Sequence, residues 1–255
     1  MERIQTVTVR NTVLGDGTPK ICVPITAGNR KELEEQVQKI LAVPCDMAEW
    51  RADFFEETDD EEWLAQALEF LRGALGEMPL LFTFRTKEEG GERSISLEEY
   101  ERLNVSAAAT GLADLVDVEL NRGEQLLCSL VKKLHEHGAL VIGSFHDFSG
   151  TPSKREITDI LCRMQSCGAD ISKAAVMPQS EADVMTLLEA SLEMKKSCAD
   201  RPFITMSMGS LGGISRLAGS LTGSAVTFAT AGRASAPGQM EAEAVARLLP
   251  AMKIE

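Results

Sequence analysis

Two short apolar runs, Leu140-Val141-Ile142-Gly143-Ser144-Phe145 and Ile171-Ser172-Lys173-Ala174-Ala175-Val176, flank an amphipathic stretch that Gly168 can terminate. Each run has the length of a buried strand. Polar chemistry sits at the end of the first, in His146-Asp147, and inside the second, at Lys173. The same rhythm extends in both directions, with further candidate strands at 21–25, 47–51, 80–84, 115–119, 203–206 and 225–228. Between the strands, apolar residues recur at helical spacing: Leu33, Val37, Ile40 and Leu41 form one face, and Leu126, Leu127, Leu130, Val131 and Leu134 another. Ser96-Leu97-Glu98-Glu99 is a capping box, Ser180 can cap a later helix, and Gly138 can end one. Eight strands, each followed by a helix, predict an α/β fold, the closed (β/α)8 TIM barrel. The open alternative, a doubly wound sheet, lacks its Gly-x-Gly-x-x-Gly after the first strand. Residues 6–10, with Gly15-Asp16-Gly17 as a turn signal, predict an N-terminal β-hairpin that could plug the N-terminal mouth. No Ser/Gly-rich linker divides the chain, so one domain is expected over 1–255.

Composition narrows the partners. The 255 residues are 44% hydrophobic and 25% charged, ordinary globular values. No run of about 18 apolar residues could span a bilayer, and Met1-Glu2-Arg3-Ile4-Gln5-Thr6 has no apolar signal core. A cytoplasmic protein without membrane contact is expected. A formal charge of −13 opposes nucleic-acid binding, which rests on Lys and Arg neutralising phosphates. An acidic small molecule would have to be captured by locally clustered arginines. Six cysteines form no CxxC pair and are expected to be buried, reduced thiols. Three histidines, two of them in one helical stretch, do not suggest a metal site, and no cofactor is expected.

A barrel's chemistry gathers at the C-terminal ends of its strands. There the sequence places Glu49-Trp50-Arg51-Ala52-Asp53, then Phe84-Arg85 followed by Glu88-Glu89-Gly90-Gly91, then Asp117 and Glu119, then His146, Lys173 and Arg216. Alternation puts Glu49, Arg51 and Asp53 on one side. Single strand-end charges are commonly solvated or structural, and Asp53, Asp117 and Glu119 could serve only to hold arginines. Lys173 is the sharpest signal, because lysine is almost never fully buried unless paired. Burial and neighbouring arginines would both disfavour its ammonium, leaving a nucleophilic amine able to form a Schiff base with a ketone. Beside it, His146 is a natural proton shuttle, and a carboxylate such as Glu89 could fix its ring.

These residues lie in motifs that resemble the type I 3-dehydroquinate dehydratases over nearly the whole chain. In the family's order they are Glu49-Trp50-Arg51-Ala52-Asp53; Phe82-Thr83-Phe84-Arg85-Thr86 with Glu89-Gly90-Gly91; and Ser144-Phe145-His146-Asp147-Phe148. Asp170-Ile171-Ser172-Lys173 with Ala175-Val176-Met177-Pro178, Met206-Ser207-Met208-Gly209 with Ser215-Arg216, and Ser235-Ala236-Pro237-Gly238-Gln239 follow. The resemblance implies a shikimate-pathway barrel that converts 3-dehydroquinate to 3-dehydroshikimate and water, commonly as a homodimer. It implies Lys173 as the Schiff-base lysine, His146 as acid and base, and Glu89 as the carboxylate orienting the histidine. Arg216 would hold the substrate carboxylate; Glu49, Arg51 and Arg85 would order its hydroxyls and the rest of the site. Ser235 and Gln239 would belong to a loop that closes over the substrate. Pro24 departs from relatives with a ligand-touching serine on the first strand; it has no hydroxyl or N–H, so that contact is excluded. Other Schiff-base barrels of the aldolase type, and a catalytically inactive ligand-binding barrel, are the competing readings. With nothing after the barrel, no fused shikimate dehydrogenase is expected.

Overall fold

The computed structural model describes residues 4–56 and 60–254; Met1, Glu2 and Arg3 of the N-terminal segment read above lie outside them. Among the described residues ten strands form: β1 (Val7–Val9), β2 (Thr12–Leu14), β3 (Lys20–Ile25), β4 (Met47–Arg51), β5 (Leu80–Thr83), β6 (Leu115–Glu119), β7 (Leu140–Asp147), β8 (Ile171–Val176), β9 (Phe203–Ser207) and β10 (Val226–Phe228). The last eight make one parallel sheet in the order β10-β3-β4-β5-β6-β7-β8-β9. Between β9 and β10 the ladder thins to a bridge at Phe203 and Ser224, where the Ser224 hydroxyl accepts from the Thr205 N–H at 3.0 Å. The expected TIM barrel is therefore present, with a seam sealed partly by a side chain.

The outer layer comprises α1 (Arg30–Leu41), α2 (Glu61–Leu75), α3 (Leu97–Ala109), α4 (Glu124–Glu136), α5 (Lys154–Ser166), α6 (Glu181–Glu193), α7 (Gly219–Thr222) and α8 (Ala242–Leu248). Ser96 closes its capping box with Glu99, and Ser180 does the same with Asp183. The expectation of a full helix after every strand fails after β9. There the chain makes a 3-10 segment (Leu211–Arg216) and only four residues of α7. Leu33, Val37 and Ile40, and Leu127, Leu130, Val131 and Leu134, face the sheet as expected, whereas Leu41 at the end of α1 is exposed and Leu126 is only partly buried.

Inside the barrel, Cys22, Met47, Leu81, Leu115, Ile142, Ile171 and Ile204 share a separate apolar cluster with Val9 and Leu14 of the β1–β2 hairpin. The hairpin thus stoppers the N-terminal mouth, so the site can open only at the other end. Its turn lies at Arg10-Asn11, with Arg10 at φ 52, and not at Gly15-Asp16-Gly17, which leads into β3. Arg10, at that left-handed position, pairs with Asp114 at 2.6 Å. The cysteine expectation also needs correction: Cys128 on α4 and Cys167 after α5 are joined as a disulfide, and Cys45, Cys162 and Cys198 are only half-buried. Adjacent helices bring the Cα atoms of that pair to 4.5 Å across 39 residues of sequence, a proximity that spacing cannot reveal.

Candidate active site

Parallel register lines up the chemistry. Ser144 on β7 pairs with Lys173 on β8, and alternation sends both side chains inward, while the Ser172 hydroxyl turns out to the Leu161 carbonyl of α5. Lys173 is 4% exposed. Its Nζ lies 3.6 Å from Asp117 Oδ2, 4.0 Å from Glu49 Oε1 and 4.3 Å from the centre of the Phe228 ring. The nearest charges are therefore carboxylates, whereas arginines were expected.

Arg85, just past β5, organises those acids. Its guanidinium contacts Asp117 and Glu119 at 2.8 Å each, the Ser144 hydroxyl at 3.1 Å and Glu89 at 3.6 Å. Glu119 also accepts from the Thr86 N–H and hydroxyl, at 2.9 and 2.7 Å. Burial alone would lower the Arg85 pKa, but Asp117, Glu119 and Glu89 outweigh it and drive it well up. Burial likewise works to raise Asp117, yet Arg85 and Lys173 together hold it below the usual carboxylate range. The turn after Arg85 requires Gly91, because a Cβ there would stand 1.9 Å from the Arg85 carbonyl oxygen.

His146 emerges from the end of β7 with Nδ1 at 2.8 Å from Glu89 Oε2. That contact leaves Nε2 as the ring nitrogen for the cavity, which His146 lines. Burial, then the positive charges of Arg85, Lys173 and Arg51, pull the imidazole well below its ordinary pKa. Burial raises Glu89 to about 8; Arg85 opposes the rise and the Glu119 and Asp117 charges add to it. The two groups share one hydrogen bond, whose proton sits on Nδ1 or on the carboxyl according to which of them is ionised.

Arg51 is gripped by both oxygens of Asp53 at 2.7 Å, and the same carboxylate accepts from the backbone N–H of Arg85 and of Glu92. Asp53 is thus a brace that holds Arg51 and the neighbouring strand end. Glu49 accepts from the Thr83 hydroxyl at 2.9 Å. The loop 234–239 folds over the mouth. Gln239 accepts from the Ser235 N–H at 2.8 Å and donates to its hydroxyl at 3.0 Å. Pro237 O takes bonds from Gly209 N–H and from Arg216 Nη2, at 3.1 and 2.9 Å. Gly238 lies so close to Gly209 that a Cβ would come to 2.1 Å from its carbonyl oxygen.

The cavity encloses about 460 Å³ of empty space, mouth included, and brings together Glu49, Arg51, Arg85, Glu89, His146, Lys173, Ser235 and Gln239. Arg216 is not on its wall. Arg216 sits buried behind Met206 and Phe228, donating to the Phe228 and Pro237 carbonyls, with no carboxylate in ion-pair range among the described residues. Burial brings its pKa down to about 10. Pro24 does not line this cavity; it borders a separate groove with Gln36 and Arg233. Sequence reasoning gave no role to Gly90, Phe148, Ala175, Met206, Met208, Phe228 or Ala236, which complete the lining. Apolar residues in apolar strands carry no signal that separates a substrate wall from core, although alternation from Lys173 does point to Ala175.

A sequence model of the type I 3-dehydroquinase family matches residues 21–255. The chain belongs to that family. It is 51% identical over 244 residues to the 3-dehydroquinate dehydratase of Syntrophotalea carbinolica, with 96% of each chain covered. The crystal structure of the type I 3-dehydroquinate dehydratase of Clostridium difficile, with covalent modified comenic acid, superposes with a TM-score of 0.93 at 46% identity and 97% coverage of both chains. The 3-dehydroquinate dehydratase structure from Geobacillus kaustophilus also gives 0.93, at 40% identity over 99% of this chain and 98% of that one. No helix among the described residues is long and apolar enough to cross a membrane.

Proposed function

We propose that this chain is a hydro-lyase of the shikimate pathway, one catalytic domain that dehydrates 3-dehydroquinate to 3-dehydroshikimate through an imine on Lys173. The observation that carries this reading is the buried Lys173 amine facing the same cavity as the His146–Glu89 pair. An amine can condense with the C3 ketone, and the resulting iminium acidifies the C2 protons. His146 Nε2 takes a C2 proton; the enamine expels the C1 hydroxyl, which leaves as water on receiving that proton. Hydrolysis then frees the lysine. Proton transfer by a placed side chain contributes roughly 10²–10⁴-fold. Arg216, a buried cation with no carboxylate in ion-pair range among the described residues, reaches the substrate carboxylate once the loop carrying Pro237, whose carbonyl now holds its Nη2, moves aside. Glu49 and Arg51 meet the hydroxyls, Arg85 acts through the carboxylates it holds, and Ser235 and Gln239 cap the bound ring. A homodimer in the cytoplasm completes the proposal. Symmetric pairing is the commonest assembly of such enzymes, and an acidic chain of ordinary composition suits a cytoplasmic setting.

The test is borohydride reduction in the presence of 3-dehydroshikimate, with the modified peptide mapped by mass spectrometry. The adduct is expected on Lys173, and product formation is expected to appear as ultraviolet absorbance of the conjugated enone. An unmodified Lys173, or turnover without an enone, rejects the reading. In His146→Ala the adduct should still form while dehydration slows by about 10²–10⁴-fold; normal dehydration kinetics would contradict the role of the histidine.

The pair also sets a pH dependence. With both protons present, Glu89 donates to Nδ1 and Nε2 carries the other proton, so no lone pair faces the substrate. Loss of one proton leaves Glu89 ionised, accepting from Nδ1–H, and frees Nε2 as a base. With Glu89 raised to about 8, kcat/KM should climb with pH up to about 8 and then level. Initial rates across neutral and mildly alkaline pH check this; a profile that falls through that range refutes it.

A further inference from the structure

We propose that Asp117 is the counter-ion of Lys173, a positioning residue that aims the amine and stabilises the cationic nitrogen of the iminium; this rests on the imine chemistry proposed above. Asp117, the third residue of β6, is fully buried. Its Oδ1 is committed to the Ser144 hydroxyl at 2.6 Å and the Arg85 guanidinium at 2.8 Å. Its Oδ2 is buried, accepts no hydrogen bond and lies 3.6 Å from Lys173 Nζ. A buried carboxylate oxygen left open is costly unless a cation faces it, and the amine is the cation that does. Glu49 is the competing acid. It stands farther off, at 4.0 Å, and the oxygen it presents already accepts from Thr83.

The condensation explains why an anchored anion belongs there. Nζ adds to the carbonyl carbon, the C–O bond breaks, and the oxygen departs as water with one proton from Nζ and one from solvent. The positive charge stays on the C=N–H group, whose remaining N–H can donate to Asp117 Oδ2. Arg85 joins this carboxylate to Glu89, so one guanidinium fixes the anion serving the lysine and the anion serving the histidine. Around Nζ the titratable groups are Asp117 from β6, Glu49 from β4, His146 from β7 and Cys22 from β3. β9 contributes none, and β10 contributes the Phe228 ring.

The experiment compares borohydride trapping with 3-dehydroshikimate, as a function of pH, in the parent enzyme, Asp117→Asn and Glu49→Gln. In Asp117→Asn the pH of half-maximal trapping should fall by about one unit, because the ammonium has lost its partner. The plateau trapping rate should drop about tenfold, because the iminium has lost it too. Glu49→Gln should move the midpoint less, because Glu49 stands farther from Nζ. A lower plateau with an unmoved midpoint in Asp117→Asn, or a midpoint that moves only in Glu49→Gln, overturns the inference while leaving the imine reading intact. No adduct in the parent enzyme removes both. Should Asp117→Asn fail to fold, a crystal structure of the reduced parent adduct decides. Asp117 Oδ2 within hydrogen-bonding distance of Nζ supports the assignment, and Nζ turned to Glu49 instead overturns it.

Discussion

Lys173→Ala will abolish dehydration, by about 10⁴-fold or more, while the protein stays folded and still binds its ligand. The size of the effect follows from the covalent route: without the amine no imine forms, and the C2 protons lose the electron sink that acidifies them. Folding should survive because Asp117 keeps Arg85 and the Ser144 hydroxyl when the lysine is gone. The neighbouring apolar wall of Ala175, Met206 and Phe228 is also unaltered by the change. Enone absorbance measures the loss, calorimetric titration measures the retained binding, and circular dichroism checks the fold. Residual activity near that of the parent enzyme would remove the imine from the mechanism.

Arg85→Ala should be the most destabilising single change in the site. It strands Asp117 and Glu119, both fully buried, without the guanidinium that contacts each at 2.8 Å. Breaking a buried ion pair from one side costs about 3–5 kcal/mol, a large share of the roughly 5–15 kcal/mol that holds a typical domain folded. The pH dependence should weaken as well. In the parent, the depressed Asp117 contributes stability that is present above its unfolded pKa and lost as pH falls through the folded value. In the variant Asp117 keeps its burial but loses the guanidinium that most lowers its pKa, so protonation costs less and the deficit shrinks toward acid. Urea unfolding at neutral and acidic pH reads both effects; a deficit below about 1 kcal/mol at neutral pH would show that Arg85 does not hold this network.

Much of this was legible in the chain. Strand and helix periods are local properties, so the eight barrel strands fell within a few residues of their expected bounds. The departures were also local contests. β7 runs on to Asp147, placing His146 within the strand, and the hairpin turned at Arg10-Asn11 because pairing Val9 with Thr12 brings Val9 and Leu14 inside the barrel. Lys173 stood out because a lysine in an apolar strand has few physical excuses, and Glu89 and His146 do meet at 2.8 Å.

The linear order of residues by itself determined that this protein would build strand–helix repeats with acids, arginines, a histidine and a lysine at one rim, since periodicity and residue chemistry need no third dimension. Only the tertiary structure decided which acid faces which cation. Glu119 and Asp117 divide Arg85, Asp117 turns its open oxygen to Lys173, and Arg216 waits behind the wall with its donors on carbonyls. Charge pairing falls off within a few ångströms, and strands 30 or more residues apart set those distances only when the barrel closes.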